Sequence, residues 1–370
     1  NIKIEVTAQE GSVTPLVSGF LSQGDHHIAK IFFREDGDYS FTVAGMDFAE
    51  NILEVYTEDH FVLDQTSPDI ELVGIQDYSA NNGVVAPLLR FQDTNFDRES
   101  VSVEIEGYHN GIQNIKKTES KLTYGIELQF DDFDYTTQMD DLYILKATAR
   151  DLAGNDCEKI VTFSVNRFGS VYTFDRQTEQ LAGKEGQYYT NQEQDIVVTE
   201  TNVDTLEFRE ITCNLSGKIR TLTEGIDYTL QEEKRPDGWK QYIYRIDRHN
   251  FSEEGSYLLT LYSEDRAKNS SNNYTKGKKI AFVVDKTSPS IVLSGVEDGG
   301  QYQENSREIT LDIQDNLSLV KAKVILNNTE NIYDAEELLA LNGRITYKAW
   351  KQPYWQTLQV IAYDAAGNGQ

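Results

Sequence analysis

The chain has 370 residues, which at roughly 100–150 residues per domain is too long for a single core and suits three or four. Its 61 acidic residues against 34 basic ones give a formal net charge of -27, so its surface repels phosphate backbones and anionic headgroups, and nucleic-acid binding is excluded. Two cysteines, Cys157 and Cys213, are too few for a disulfide-dense scaffold, and no apolar run approaches the roughly 18 residues needed to cross a bilayer.

The acidic residues are spread along the chain and 39% of positions are hydrophobic, the composition of a folded protein and not of an acidic tail. Both cysteines read as buried thiols. The sequence opens at Asn1 without a signal-peptide pattern and is read as an internal stretch of a longer protein, with its first and last domains clipped.

In chain order, the first recurring feature is a strand whose alternate residues Tyr39, Phe41, Val43 and Gly45 share one face, followed by the tight turn Asp47-Phe48-Ala49-Glu50-Asn51. Asp and Asn bond nearby backbone amides, and Ala fits beneath the turn, so the pattern reads as a folding device in preference to a calcium ligand set. No Asp-x-Asp-x-Asp loop supports calcium, and neighbouring His26 and His27 point to opposite faces of a strand. Then comes Phe61-Val62-Leu63-Asp64-Gln65-Thr66-Ser67-Pro68, a strand that ends at the aspartate before a proline-stiffened linker.

The second copy has a loop at Phe91-Gln92-Asp93-Thr94-Asn95, a strand on Tyr143, Leu145, Ala147 and Ala149, and the turn Asp151-Leu152-Ala153-Gly154-Asn155. Its exit, Ser164-Val165-Asn166-Arg167-Phe168-Gly169-Ser170, lacks the proline. The third copy places the echo of that loop at Val198-Thr199-Glu200-Thr201-Asn202 and a hairpin at Pro236-Asp237-Gly238. Its strand carries Tyr257, Leu259, Leu261 and Ser263 and leads to Asp265-Arg266-Ala267-Lys268-Asn269. The linker Asp285-Lys286-Thr287-Ser288-Pro289 repeats the first one. In the fourth copy, Ile313-Gln314-Asp315-Asn316-Leu317 echoes the loop and Asp334 caps a helix that stops before Gly343. Gln356 stands where the others have tyrosine, ahead of Asp364-Ala365-Ala366-Gly367-Asn368.

The four aspartates are 104, 114 and 99 residues apart, the interval an immunoglobulin-like sandwich of roughly 100 residues requires. A tyrosine opening the strand resembles the tyrosine corner of that fold, its hydroxyl tied to upstream backbone. The fold is therefore read as all-β, a tandem array with domains at 1–64, 65–166, 167–285 and 286–370.

The linkers, Ser294-Gly295-Val296-Glu297-Asp298-Gly299-Gly300 and the Asp-x-Ala-Gly-Asn turns resemble the tandem bacterial immunoglobulin-like domains of wall-anchored surface proteins of Gram-positive gut bacteria. The stretch Arg167–Tyr172, with Gly238-Trp239-Lys240-Gln241-Tyr242, is similar to a longer domain of such proteins. The resemblance implies an extracellular protein at the cell wall, serving as a stalk, an adhesin or a binder of host proteins such as immunoglobulin or a mucosal glycoprotein. Metal-protease, nucleophile-elbow and phosphate-loop motifs are missing, so the expectation is a non-enzymatic, cofactor-free monomer that does not insert into membranes.

Twenty-one tyrosines and Trp239, Trp350 and Trp355 supply aromatic anchors for recognition. Tyr188, Tyr189, Trp239, Tyr242 and Tyr244 of the longer third domain are the expected binding surface, with a structural spacer, or an accessory region of a surface enzyme, as the competing readings.

Overall fold

The computed structural model describes residues 2–8, 14–182 and 187–370. The chain divides into two compact units, residues 1–167 and 168–370.

In the first unit, Ile2–Ala8, Gly37–Gly45 and Tyr56–Leu63 form a three-stranded antiparallel sheet. The second repeat builds two sheets. One orders Lys117–Leu122, Gly125–Phe130, Leu88–Gln92 and Asp69–Val73; the other orders Gly111–Ile112, Phe96–Gly107, Asp141–Asp151, Asp156–Val165 and Ser79–Asn81. Asp141–Asp151 buries every second residue, as the period of two predicts, and its Tyr143, Leu145 and Ala147 meet Leu89, Phe91 and Leu128 of the facing sheet in one core. Ser79–Asn81 is the exception to antiparallel pairing, since it runs parallel to the last strand of its own repeat, with Ser79 opposite Phe163 and Asn81 opposite Val165.

The second unit repeats this plan. Val171–Phe174, Ile196–Asn202, Lys240–Ile246 and Tyr228–Lys234 form one sheet of the third repeat. Gly255–Asp265 lies between Ile280–Val284 and Leu206–Leu215 in the other, and Tyr188–Thr190 runs parallel to Ile280–Val284. In the fourth repeat Ser290–Ser294, Ser306–Gln314 and Arg344–Trp350 face Thr329–Asp334, Leu319–Leu326 and Leu358–Asp364 around Leu311, Val324 and Ala362. The expected hairpin is present: Arg235 N donates to the Trp239 carbonyl across Gly238, whose φ is +81°. The expected helix is Ala335–Ala340, held by a reciprocal capping box between Asp334 and Glu337. Both cysteines are free; Cys213 is buried and Cys157 half-buried.

The tyrosine corners are complete. Tyr39, Tyr143 and Tyr257 each donate their hydroxyl to the backbone carbonyl four residues upstream, on Glu35, Met139 and Glu253, at 2.8, 2.9 and 2.8 Å. Each tyrosine ring also meets two phenylalanines: Phe33 and Phe61, Phe133 and Phe163, Phe251 and Phe282. Paired sheets, Tyr corners and a roughly 100-residue period define immunoglobulin-like sandwiches in tandem.

Candidate functional site

The aspartate of each Asp-x-Ala-x-Asn turn accepts from the turn itself. Asn51 N, Asn155 N, Asn269 N and Asn368 N donate to one carboxylate oxygen of Asp47, Asp151, Asp265 and Asp364, and the Asn side chains donate to the other. The fourth residue of every turn takes a left-handed conformation, with φ 68° at Glu50, 100° at Gly154, 69° at Lys268 and 88° at Gly367. Glycine is the residue that adopts it without strain. In the first repeat these donors hold the Asp47 carboxyl below its usual range.

The turn asparagine also reaches the linker: Asn155 Nδ2 donates to the Asp64 carbonyl at 3.0 Å and Asn368 Nδ2 to the Asp285 carbonyl at 2.8 Å. A carboxylate three residues before each corner tyrosine grips the linker that leaves its own repeat. Asp36 accepts from Gln65 N and Thr66 Oγ1, Asp140 from Arg167 N, and Glu254 from Lys286 N and Thr287 Oγ1. Arg167 adds bonds to the Gly83 and Phe133 carbonyls and an ion pair with Asp132, so the proline-free exit is anchored in its own repeat through Arg167.

Between these grips the acidic side chains converge. Asp64, Asp93 and Asp151 bring carboxylate oxygens within 4.8 Å of one another, and so do Asp285, Asp315 and Asp364. Each trio takes one residue from the linker, one from the loop after a strand of the next repeat, and one from that repeat's turn. Burial, and then the charges of Asp315 and Asp364, push the Asp285 carboxyl up to about 6. Burial beside Asp64 and Asp151 likewise raises that of Asp93. The aspartates were legible in sequence only as turn and linker residues, because their convergence depends on how one repeat follows the next.

The expected aromatic surface divides. Tyr242 and Tyr244 do share a strand face, but it is the inner one: they are 3% and 2% exposed. Tyr244 and Tyr172 donate their hydroxyls to the buried Glu200 carboxylate, at 2.9 and 3.0 Å, beside Ser263 Oγ. Tyr242 Oη accepts from Leu206 N. Both are therefore corrected to core residues. Tyr188 and Tyr189 sit on a strand paired with Ile280–Val284, whereas half-buried Trp239 is at the hairpin of the opposite sheet. The structure does not bring these three onto one strand or one sheet.

A different aromatic group stands in solvent. Trp350, Tyr354 and Trp355, in and beside the connection from Arg344–Trp350 to Leu358–Asp364, are 57, 60 and 68% exposed. Lys348 Nζ lies 4.6 Å from the Trp350 ring centroid. Gln356, which replaces the corner tyrosine, donates to the Trp350 carbonyl and accepts from Asn327 Nδ2, tying this loop to the neighbouring turn.

No family model and no curated protein sequence matches the chain. Among solved structures it is similar to a tetra-tandem repeat in the extending region of a large adhesion protein, at 15% identity and a TM-score of 0.37, over 100% of this chain and 89% of that one. The comparison is of chain fold. A structure of titin A168169 is similar at 9% identity and a TM-score of 0.32, over 60% of this chain and 100% of that one. The structure of Dpr2 Ig1-Ig2 in complex with DIP-Theta Ig1-Ig3 matches at 10% identity and a TM-score of 0.38, over 76% of this chain and 88% of that one.

Proposed function

We propose that this chain is a stretch of a bacterial surface adhesion protein whose immunoglobulin-like domains bind a host glycoprotein through the aromatic loop of the fourth repeat. The observation that carries the reading is the joint exposure of Trp350, Tyr354 and Trp355 on a loop held by the Gln356 bridges. Large aromatic side chains in water are costly unless a partner covers them, and their flat faces suit both sugar rings and protein hot spots. The acidic surface, the repeated domain and the stiff linkers suit a display role outside the cell. Tyr188 and Tyr189 stay in this reading as one secondary contact and Trp239, on the opposite sheet, as a separate one, and no catalytic step belongs to it.

The test is retention of serum and mucus proteins on the immobilised chain. We expect a glycoprotein to be retained by the wild type and its affinity to fall about tenfold or more in a Trp350→Ala, Trp355→Ala double variant, the cost of losing hot-spot aromatics. No retained partner at micromolar exposure would support the pure spacer instead. Equal retention by the double variant would move the site elsewhere.

A further inference from the structure

Three carboxylates held within 4.8 Å repel one another, and the arrangement is stable when donors or a cation neutralise it. In the second unit the donors fall short. Asp364 is satisfied by Asn368, and Asp315 Oδ2 accepts from Leu317 N and Ser318 N. Asp285 is 0% exposed; its Oδ1 accepts from Thr287 N, but Oδ2 makes no hydrogen bond. Asp315 Oδ1 is likewise buried and unpartnered, and these are the two such atoms found among the described residues. Buried acceptors without donors are rare because each forfeits its hydration.

The third repeat shows the alternative. Its loop position is Asn202 where the others have Asp93 and Asp315, and the amide donates to Asp265 Oδ2 at 3.1 Å. The linker residue ahead of that repeat is Asn166, where the others have Asp64 and Asp285. At the loop position an amide thus replaces a carboxylate, which removes one negative charge and supplies a donor. The all-carboxylate trio of the second unit has no such internal solution.

We infer that Asp285, Asp315 and Asp364 bind a hard divalent cation of the calcium class, and that Asp64, Asp93 and Asp151 are the counterpart site of the first unit. The donor set is oxygen only, which selects calcium over zinc or copper. The cation joins the end of one repeat, through Asp285, to the loop and turn of the next. The counterpart is the weaker site, because Asn95 Nδ2 already donates to Asp64 Oδ2 at 2.6 Å. The inference is independent of what the aromatic loop binds.

The test uses the whole chain, stripped with a chelator and titrated with calcium by calorimetry, together with its thermal unfolding. Two ions per chain are expected, the tighter with a Kd of about 10⁻³ M or below, and a rise in melting midpoint of about 4 °C or more at about 5 mM calcium. Asp285→Asn should remove one ion while its metal-free midpoint equals or exceeds that of the wild type, since the change removes one of three mutually repelling carboxylates and supplies an amide donor. Asp93→Asn should remove the other. If Asp285→Asn does not fold, Asp315→Asn carries the same pair of expectations. Absence of heat and of any midpoint shift in the wild type overturns the inference, as does full stoichiometry in Asp285→Asn. Tighter binding of magnesium overturns the choice of calcium.

Discussion

The Tyr143 hydroxyl is placed to show how much one corner bond contributes. It donates to the Met139 carbonyl and accepts from Asn110 Nδ2, and burial pushes its own ionisation up to about 12, so it stays a neutral donor. Tyr143→Phe should lower the unfolding free energy of the second repeat by about 1–2 kcal/mol, read by denaturant melts, with the fold kept because the ring still packs on Phe133 and Phe163. The corner was legible because alternation fixes which residues share a face. Alternation does not say which face is inner, which is why Tyr242 and Tyr244 read as a surface and lie in the core. The loop echo was offset for a related reason. Sequence matching set Glu200 beside Asp93, but the strand Ile196–Asn202 runs two residues further, so Asn202 is the structural equivalent and Glu200 is an interior acceptor.

The linkers are elements in their own right, each clasped by a carboxylate from the preceding Tyr corner. Thr66 first, and then Gln65, hold the Asp36 carboxyl below its ordinary value, and Thr287, with Lys286 and Asn316, does so for Glu254. A depressed carboxyl contributes stability that is full above the unfolded value, 3.8 for Asp36 and 4.5 for Glu254, and is lost as pH falls through the folded one. Carboxyl NMR titration should therefore find both groups titrating low, with Thr66→Val and Thr287→Val moving each back toward its ordinary value. The clasp had no signal in sequence, because one acid among 61 is not distinguishable before the linker is seen folding over it. The two α-helices among the described residues divide in the same way. Ala335–Ala340 announces itself by its cap and leucines, whereas Arg176–Leu181 is too short to show a period, despite Asp175 capping it through Thr178 N.

Across the whole molecule the repeats differ in how much they bury. Among the described residues of the first, Tyr39 is the one hydrophobic side chain in the fully buried class, while Leu21, Phe48 and Ile52 stand in water; the later repeats have extended cores. Unfolding should therefore begin there. Amide exchange in Gly37–Gly45 should be about tenfold or more less protected than in Asp141–Asp151, and calorimetry should resolve more than one transition. The parallel edge strands matter once tension is applied to such a chain. Ser79–Asn81 follows one linker and Asp156–Val165 leads into the next exit, and the two are joined by their ladder and by Asn166 N donating to the Asn81 carbonyl. Tyr188–Thr190 and Ile280–Val284 are joined likewise, with Asp285 N donating to the Thr190 carbonyl. A pull on the ends slides these strands past each other, so their hydrogen bonds are loaded together in shear and not opened singly like a zip. Rupture under force then requires several bonds to fail at once, and the short strand beside each of these two exits is placed as a mechanical clamp.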